Sequence, residues 1–154
     1  GEALDMLQAM NTGHEGSLTT VHANSPQDAL LRIETLCLYA DVGLPALAVR
    51  RTIASAIHLV VQLQRVADGS RKLTRVCETT GMVDDRIQMR DVAWFERMGS
   101  DGQEGVQGEF GFSNETPRFL TDARTSRSQL PESLDRIFPP PRKTPEAEAP
   151  PPKR

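Results

Sequence analysis

Two of the three histidines, His14 and His22, stand eight residues apart in the stretch Thr12-Gly13-His14-Glu15-Gly16-Ser17-Leu18-Thr19-Thr20-Val21-His22-Ala23-Asn24-Ser25. Metal ligation is one chemistry such a pair could do. The helical zinc pattern His-Glu-x-x-His is absent, because Gly16-Ser17-Leu18 follows His14-Glu15, and no cysteine lies nearby. Nucleophile activation is another. Ser17 is not framed as Gly-x-Ser-x-Gly, and spacing places no partner acid. On spacing alone, histidines that satisfy loop backbone groups remain an open structural alternative.

The flanking elements must position these side chains. Glu2 to Met10 reads as a helix with Leu4 and Leu7 on one face, stopped by Asn11 and Gly13. Ser17 to Val21 carries three β-branched residues and predicts a short strand with His22 at its C-terminal end. The ends of strands are where α/β proteins place their chemistry. Ser25-Pro26-Gln27-Asp28 is a helix start, with an N-cap, a proline at the first helical position and a carboxylate three residues after the cap. That helix is expected to run to about Ala40, with Gly43 ending it. A further helix follows Pro45 and carries Arg50 and Arg51. His58 to Val66, Lys72 to Thr80 and Asp91 to Arg97, with turns at Asp68-Gly69 and Asp84-Asp85, predict an antiparallel β-meander. An irregular strand over Gly105 to Phe112 and a short helix after Pro117 complete the ordered part. Residues 139–154 hold seven prolines and predict a disordered tail.

Composition bounds the function. The chain has 154 residues, room for one modest domain. A formal charge of -3 argues against a general nucleic-acid binder, which would be basic. Cys37 and Cys77 fit no metal-ligand spacing and predict buried free thiols in a reducing cytosol. The longest apolar run, near Ala54 to Leu63, is interrupted by His58 and Gln62 and is too short to span a bilayer. The sequence opens at Gly1 in mid-pattern, which suggests a fragment or a partial reading frame.

Read as one string, Gly1 to Ser25 closely resembles a segment of the type II/type IV secretion ATPases, most of all the branch that powers tight-adherence (Flp-type) pili and related conjugation motors. Thr12-Gly13-His14 with Leu18-Thr19-Thr20-Val21-His22-Ala23-Asn24-Ser25 matches that family's histidine box. The similarity extends through Pro26-Gln27-Asp28-Ala29-Leu30 and the helix from Ala48 to Ile57, then more weakly through Asp68-Gly69-Ser70-Arg71 to about Glu96. It covers about two thirds of the chain and is thin beyond Met98.

The resemblance implies an α/β fold: the C-terminal portion of a RecA-like P-loop NTPase domain over residues 1–98, passing into the meander, then an irregular extension over 99–138 and the tail over 139–154. It implies ATP and Mg²⁺ as cofactors, identical subunits in a hexameric ring, and an inner-membrane secretion or pilus platform as partner. Nucleic acid is not among the expected partners. The location implied is cytoplasmic, peripheral at the inner face of the bacterial membrane. It assigns His22 to the γ-phosphate region as a sensor, with Asn24 and Thr20 supporting it. His14 is the second member of the box. Glu2 matches the acidic position just after the Walker B segment. Arg50 and Arg51 could serve phosphate charge or a subunit contact, against the plainer reading of a solvated helix face. No residue is assigned to a metal.

The departures set limits. Gly-x-x-x-x-Gly-Lys-Ser/Thr occurs nowhere in the 154 residues, and the Walker B strand is missing. Phosphoryl transfer needs a phosphate cradle, a metal carboxylate, a residue that positions water and cations for the developing charge. Two expectations follow: part of a secretion motor that works only in a longer protein, or a non-catalytic remnant that docks on such a motor as an adaptor.

Overall fold

A computed structural model describes residues 2–12, 16–40, 43–101 and 105–140. Three helices come first: α1 (Glu2–Asn11), α2 (Pro26–Leu38) and α3 (Ala46–Ala56). Four strands follow, β1 (Leu59–Arg65), β2 (Arg71–Val83), β3 (Arg86–Asp101) and β4 (Gly105–Phe112), then α4 (Arg118–Thr125) and α5 (Glu132–Ile137). The strands form one sheet in chain order, every pair antiparallel. The expected meander is therefore present, and β3 continues it across residue 98. His14 and most of the proline-rich tail, from residue 141 onward, lie outside the described residues.

The turns follow from their residues. Asp84 and Asp85 both have positive φ, 46° and 60°, and join Val83 to its partner Arg86. That is the backbone of a two-residue hairpin turn of the primed type, which aspartate tolerates better than most side chains. The β1–β2 turn is held by Asp68, whose Oδ1 accepts from the Ser70 N–H at 2.8 Å. Its Oδ2 accepts from the Val106 N–H at 2.7 Å, which ties β4 to this turn. At Gly108 and Gly111 the sheet allows no side chain: a β-carbon would run into Phe95 and the Glu96 carbonyl at one, and into the Trp94 indole at the other.

Asp68 carries a pH prediction. Hydrogen bonds from Ser70 and from the Val106 amide hold its carboxyl at about 2, below the ordinary 3.8. A depressed carboxyl contributes stability that is present above the unfolded pKa and lost as pH falls through the folded one. Urea midpoints are expected to drop between pH 4 and pH 2, and Asp68→Asn to flatten that drop; equal slopes would remove Asp68 as the cause.

Two cores flank the sheet. The larger joins α1, α2 and α3 through Leu4, Leu7, Leu30, Ile33, Val49 and Ile53, with Val60, Ile87 and Met89 of the sheet packed against it. The smaller joins Val92, Leu120 and Phe138, where α4 and α5 cover the sheet. Cys37 and Cys77 are both buried free thiols, and burial with a neighbouring Asp91 pushes Cys77 up to about 12.

The strand expected over Ser17 to Val21 does not form. These residues are irregular, all but Val21 are exposed, and Leu18 is 94% exposed. β-branched side chains favour extended backbone, but a strand exists only through a ladder with a neighbour, and none of the four strands pairs here. The helix after it ends two residues before Ala40, at Leu38.

Candidate functional site

The segment that carries His22 is fixed at its C-terminal end by the start of α2. Ser25 is extended (φ -147°, ψ 163°), its Oγ accepts from the Asp28 N–H at 3.1 Å, and Pro26 opens the helix. Satisfying one of the four free N–H groups of the first turn in this way sets the angle at which the chain enters the helix. His22 therefore stands three residues before a fixed N-cap, with its side chain exposed.

Around it lies an open hollow of about 300 Å³ lined by His22, Ala23, Asn24, Asp28 and Arg32. Asp28 and Arg32 are four apart on α2 and share a helix face, so a carboxylate and a guanidinium line the same hollow as the imidazole. Arg32 is the site residue that sequence reading missed. The available signal was its spacing from Asp28 on the helix that begins immediately after the histidine box.

Of the other expected residues, Asn24 lines the hollow and Thr20 does not. Glu2 sits exposed in the first turn of α1, and Arg51 is exposed on α3. Arg50 is committed elsewhere: its Nε donates to Glu34 Oε1 at 2.9 Å and its Nη1 to the Asp85 carbonyl at 3.4 Å. Glu34 is 8% exposed, so this pair locks α3 to α2 and to the tip of the β2–β3 hairpin. Glu34 also holds the Arg50 guanidinium above its usual value.

A larger cleft of about 510 Å³ adjoins the hollow through Asn24 and is lined by Gln62, Gln64, Arg65, Arg75 and Arg97 among others. Two of its cations have partners. Arg65 Nε donates to the Gly69 carbonyl at 3.1 Å, and Arg75 Nε lies 3.7 Å from Asp91 Oδ1.

Chemically, the His22 hollow offers an imidazole, an amide and a guanidinium beside the Asp28 carboxylate, an open set that cannot enclose a nucleotide. Among the described residues no three His, Cys, Asp or Glu side chains gather as a metal site. Among them too, no helix is long and apolar enough to cross a membrane.

Comparison with known proteins supplies the context that the hollow alone lacks. The conjugal transfer protein TrbB of Rhizobium radiobacter is 34% identical over 96 residues, 62% of this chain and 28% of TrbB. A conjugal transfer protein of Mycobacterium tuberculosis is 34% identical over 100 residues, 65% of this chain and 28% of its own length. The type IV secretion system protein PtlH of Bordetella pertussis is 39% identical over 75 residues, 47% of this chain and 22% of PtlH. The chain thus spans between about a fifth and little more than a quarter of the length of these relatives. The model of the type II/IV secretion system protein family matches residues 1–124, which takes in the His22 hollow, the whole sheet and most of α4. The chain belongs to the type II/IV secretion system protein family.

Proposed function

We propose that this chain is the C-terminal part of a RecA-like, hexameric ATPase that couples ATP hydrolysis to pilus assembly or protein secretion. The observation that carries the reading is the family match over residues 1–124 with His22 at the mouth of an open hollow beside Arg32. His22 is the γ-phosphate sensor, Asn24 and Thr20 support it, and Glu2 and His14 complete the set supplied by this segment. Arg51, exposed on α3, serves a contact with a neighbouring subunit, and Arg50 serves the same face through its pairing with Glu34. Residues 1–98 form the motor part, 99–138 an extension that continues its sheet through β3 and β4, and 139–154 a tail. ATP and Mg²⁺ are held chiefly by the phosphate loop and Walker B strand of the longer protein. That protein forms a ring of identical subunits on an inner-membrane platform, at the cytoplasmic face of the membrane. Apolar side chains left in solvent, Leu18 at 94% and Leu63 at 63% exposure, support burial against such further structure.

The 154-residue chain alone is expected neither to hydrolyse ATP nor to bind it at micromolar concentration, because no backbone nest or lysine holds the β- and γ-phosphates. A fluorescent-nucleotide titration checks this, and micromolar affinity would overturn it. The protein encoded with its upstream reading frame is expected to hydrolyse ATP. If that frame supplies no phosphate loop, the adaptor reading takes its place.

A further inference from the structure

β1 buries the wrong side chain for a simple amphipathic strand. Leu59, Val61 and Leu63 are 39%, 52% and 63% exposed, while Gln62 is 8% exposed. A leucine at position 62 would avoid the cost of taking an amide out of water. What the glutamine gains is a specific partner: its Nε2 donates to the carbonyl of Ala23 at 3.1 Å, across 39 residues of sequence. Ala23 directly follows His22. Two residues along β1, the exposed Gln64 donates from Nε2 to the carbonyl of Asn24 at 3.3 Å. The ladder is adapted at the same point, since the β1–β2 register shifts between Gln62 and Leu63, and Thr74 Oγ1 caps the Gln62 carbonyl at 3.3 Å. Such irregularities re-aim a side chain out of the regular pleat.

We infer that Gln62 is a positioning residue for His22: its buried amide fixes the backbone of the irregular segment that presents the imidazole, with Gln64 as a weaker second tie. The inference rests on the proposed role of His22 for its catalytic consequence, but the anchoring itself does not. Ser17 to His22 has no strand ladder, and the Gln62 bond reaches the backbone right beside His22, where the packing of Val21 and the Ser25 cap act to either side of it. The N-cap fixes where α2 begins, whereas the Gln62 bond fixes how far the preceding residues stand from β1. A site built on a loop needs such a support to hold its geometry.

The test uses the full-length protein and Gln62→Met, which keeps the length of the side chain and removes the donor. Hydrogen exchange over residues 20–26 is expected to accelerate at least about tenfold while exchange in β2 and β3 stays unchanged. The kcat for ATP hydrolysis is expected to fall about tenfold with KM within about twofold, the pattern of a group misplaced in the transition state. Gln64→Ala is expected to give a smaller change of the same kind. Unchanged exchange over residues 20–26 would overturn the inference, and so would faster exchange with unchanged turnover. A wild type that hydrolyses no ATP would overturn the proposed function instead, and the exchange arm would still decide the anchoring. If Gln62→Met does not fold, the wild-type side-chain amide decides: protected Gln62 amide protons are expected, and exchange as fast as in free glutamine would sink the idea.

Discussion

Replacing His22 with alanine in the full-length protein is expected to lower kcat for ATP hydrolysis on the order of 100-fold, with nucleotide affinity changed far less. The magnitude is that of losing one preorganised donor or proton carrier from a phosphoryl-transfer site. The asymmetry follows from placement. His22 is exposed at the rim of an open hollow, on irregular backbone, and among the described residues shares that hollow with one cation, Arg32. Such a group contributes little to holding a bound nucleotide, which is the work of a phosphate cradle. It can contribute much where charge develops. His22→Gln separates two roles. An amide N–H donates a hydrogen bond but neither gives up nor takes on a proton at neutral pH, so partial recovery assigns His22 to hydrogen bonding and none assigns it to proton transfer. Single-turnover hydrolysis beside a fluorescent-nucleotide titration measures both quantities. Equal losses in affinity and turnover would make His22 a binding residue, and unchanged turnover would remove it from the mechanism.

How much of this site was legible in the sequence depends on the range over which each feature is decided. Ser25-Pro26-Gln27-Asp28 was readable because a helix start is settled within four residues, and the Ser25–Asp28 bond is where that pattern puts it. The Asp84-Asp85 and Asp68-Gly69 turns were readable for the same reason. The strand over Ser17 to Val21 was not, because a propensity inside Thr19-Thr20-Val21 says nothing about whether a neighbour exists to pair with. In the sequence Gln62 is a polar residue that interrupts an apolar run within a strand candidate. Its burial depends on a carbonyl 39 residues away, which no local pattern encodes. Arg50 shows the same limit. As a cation on a helix it leaves phosphate charge, a subunit contact and a solvated face all open in the sequence, and its pairing with a nearly buried Glu34, 16 residues earlier, is decided by the fold. The histidine box itself came from likeness to a family and not from spacing, which left structural and metal roles open.

The largest effect on stability is expected away from this site, at Glu78 of β2. Its side chain is 3% exposed and saturated with donors. One oxygen accepts from Arg90 Nε at 2.9 Å and from Arg90 Nη2; the other accepts from the Arg118 N–H at 2.8 Å. Arg90 also donates to the Thr116 carbonyl at 3.3 Å and pairs with Glu115. Arg118 opens α4, whose N-cap is Pro117 and has no side chain to accept a hydrogen bond. Glu78 therefore does for α4 what Ser25 does for α2, from a strand instead of from the preceding residue, and its negative charge meets the positive end of the helix. Glu78→Ala removes the acceptor but leaves a largely buried guanidinium and a free helix N–H. Breaking a buried pair from one side costs about 3–5 kcal/mol, a large part of the roughly 5–15 kcal/mol that holds a typical domain together. The loss should begin at α4 and α5, because the core of Val92, Leu120 and Phe138 is pinned to the sheet through this network, while the α1–α3 core has its own contacts. Urea unfolding gives the total, and hydrogen exchange shows where opening starts. Combining Glu78→Leu with Arg90→Met should cost much less than Glu78→Ala, since the one ion then left without its partner, Glu115, is 69% exposed to water. A Glu78→Ala loss under about 1 kcal/mol would mean that water already screens the pair, and that α4 is held by the packing of Phe119 and Leu120.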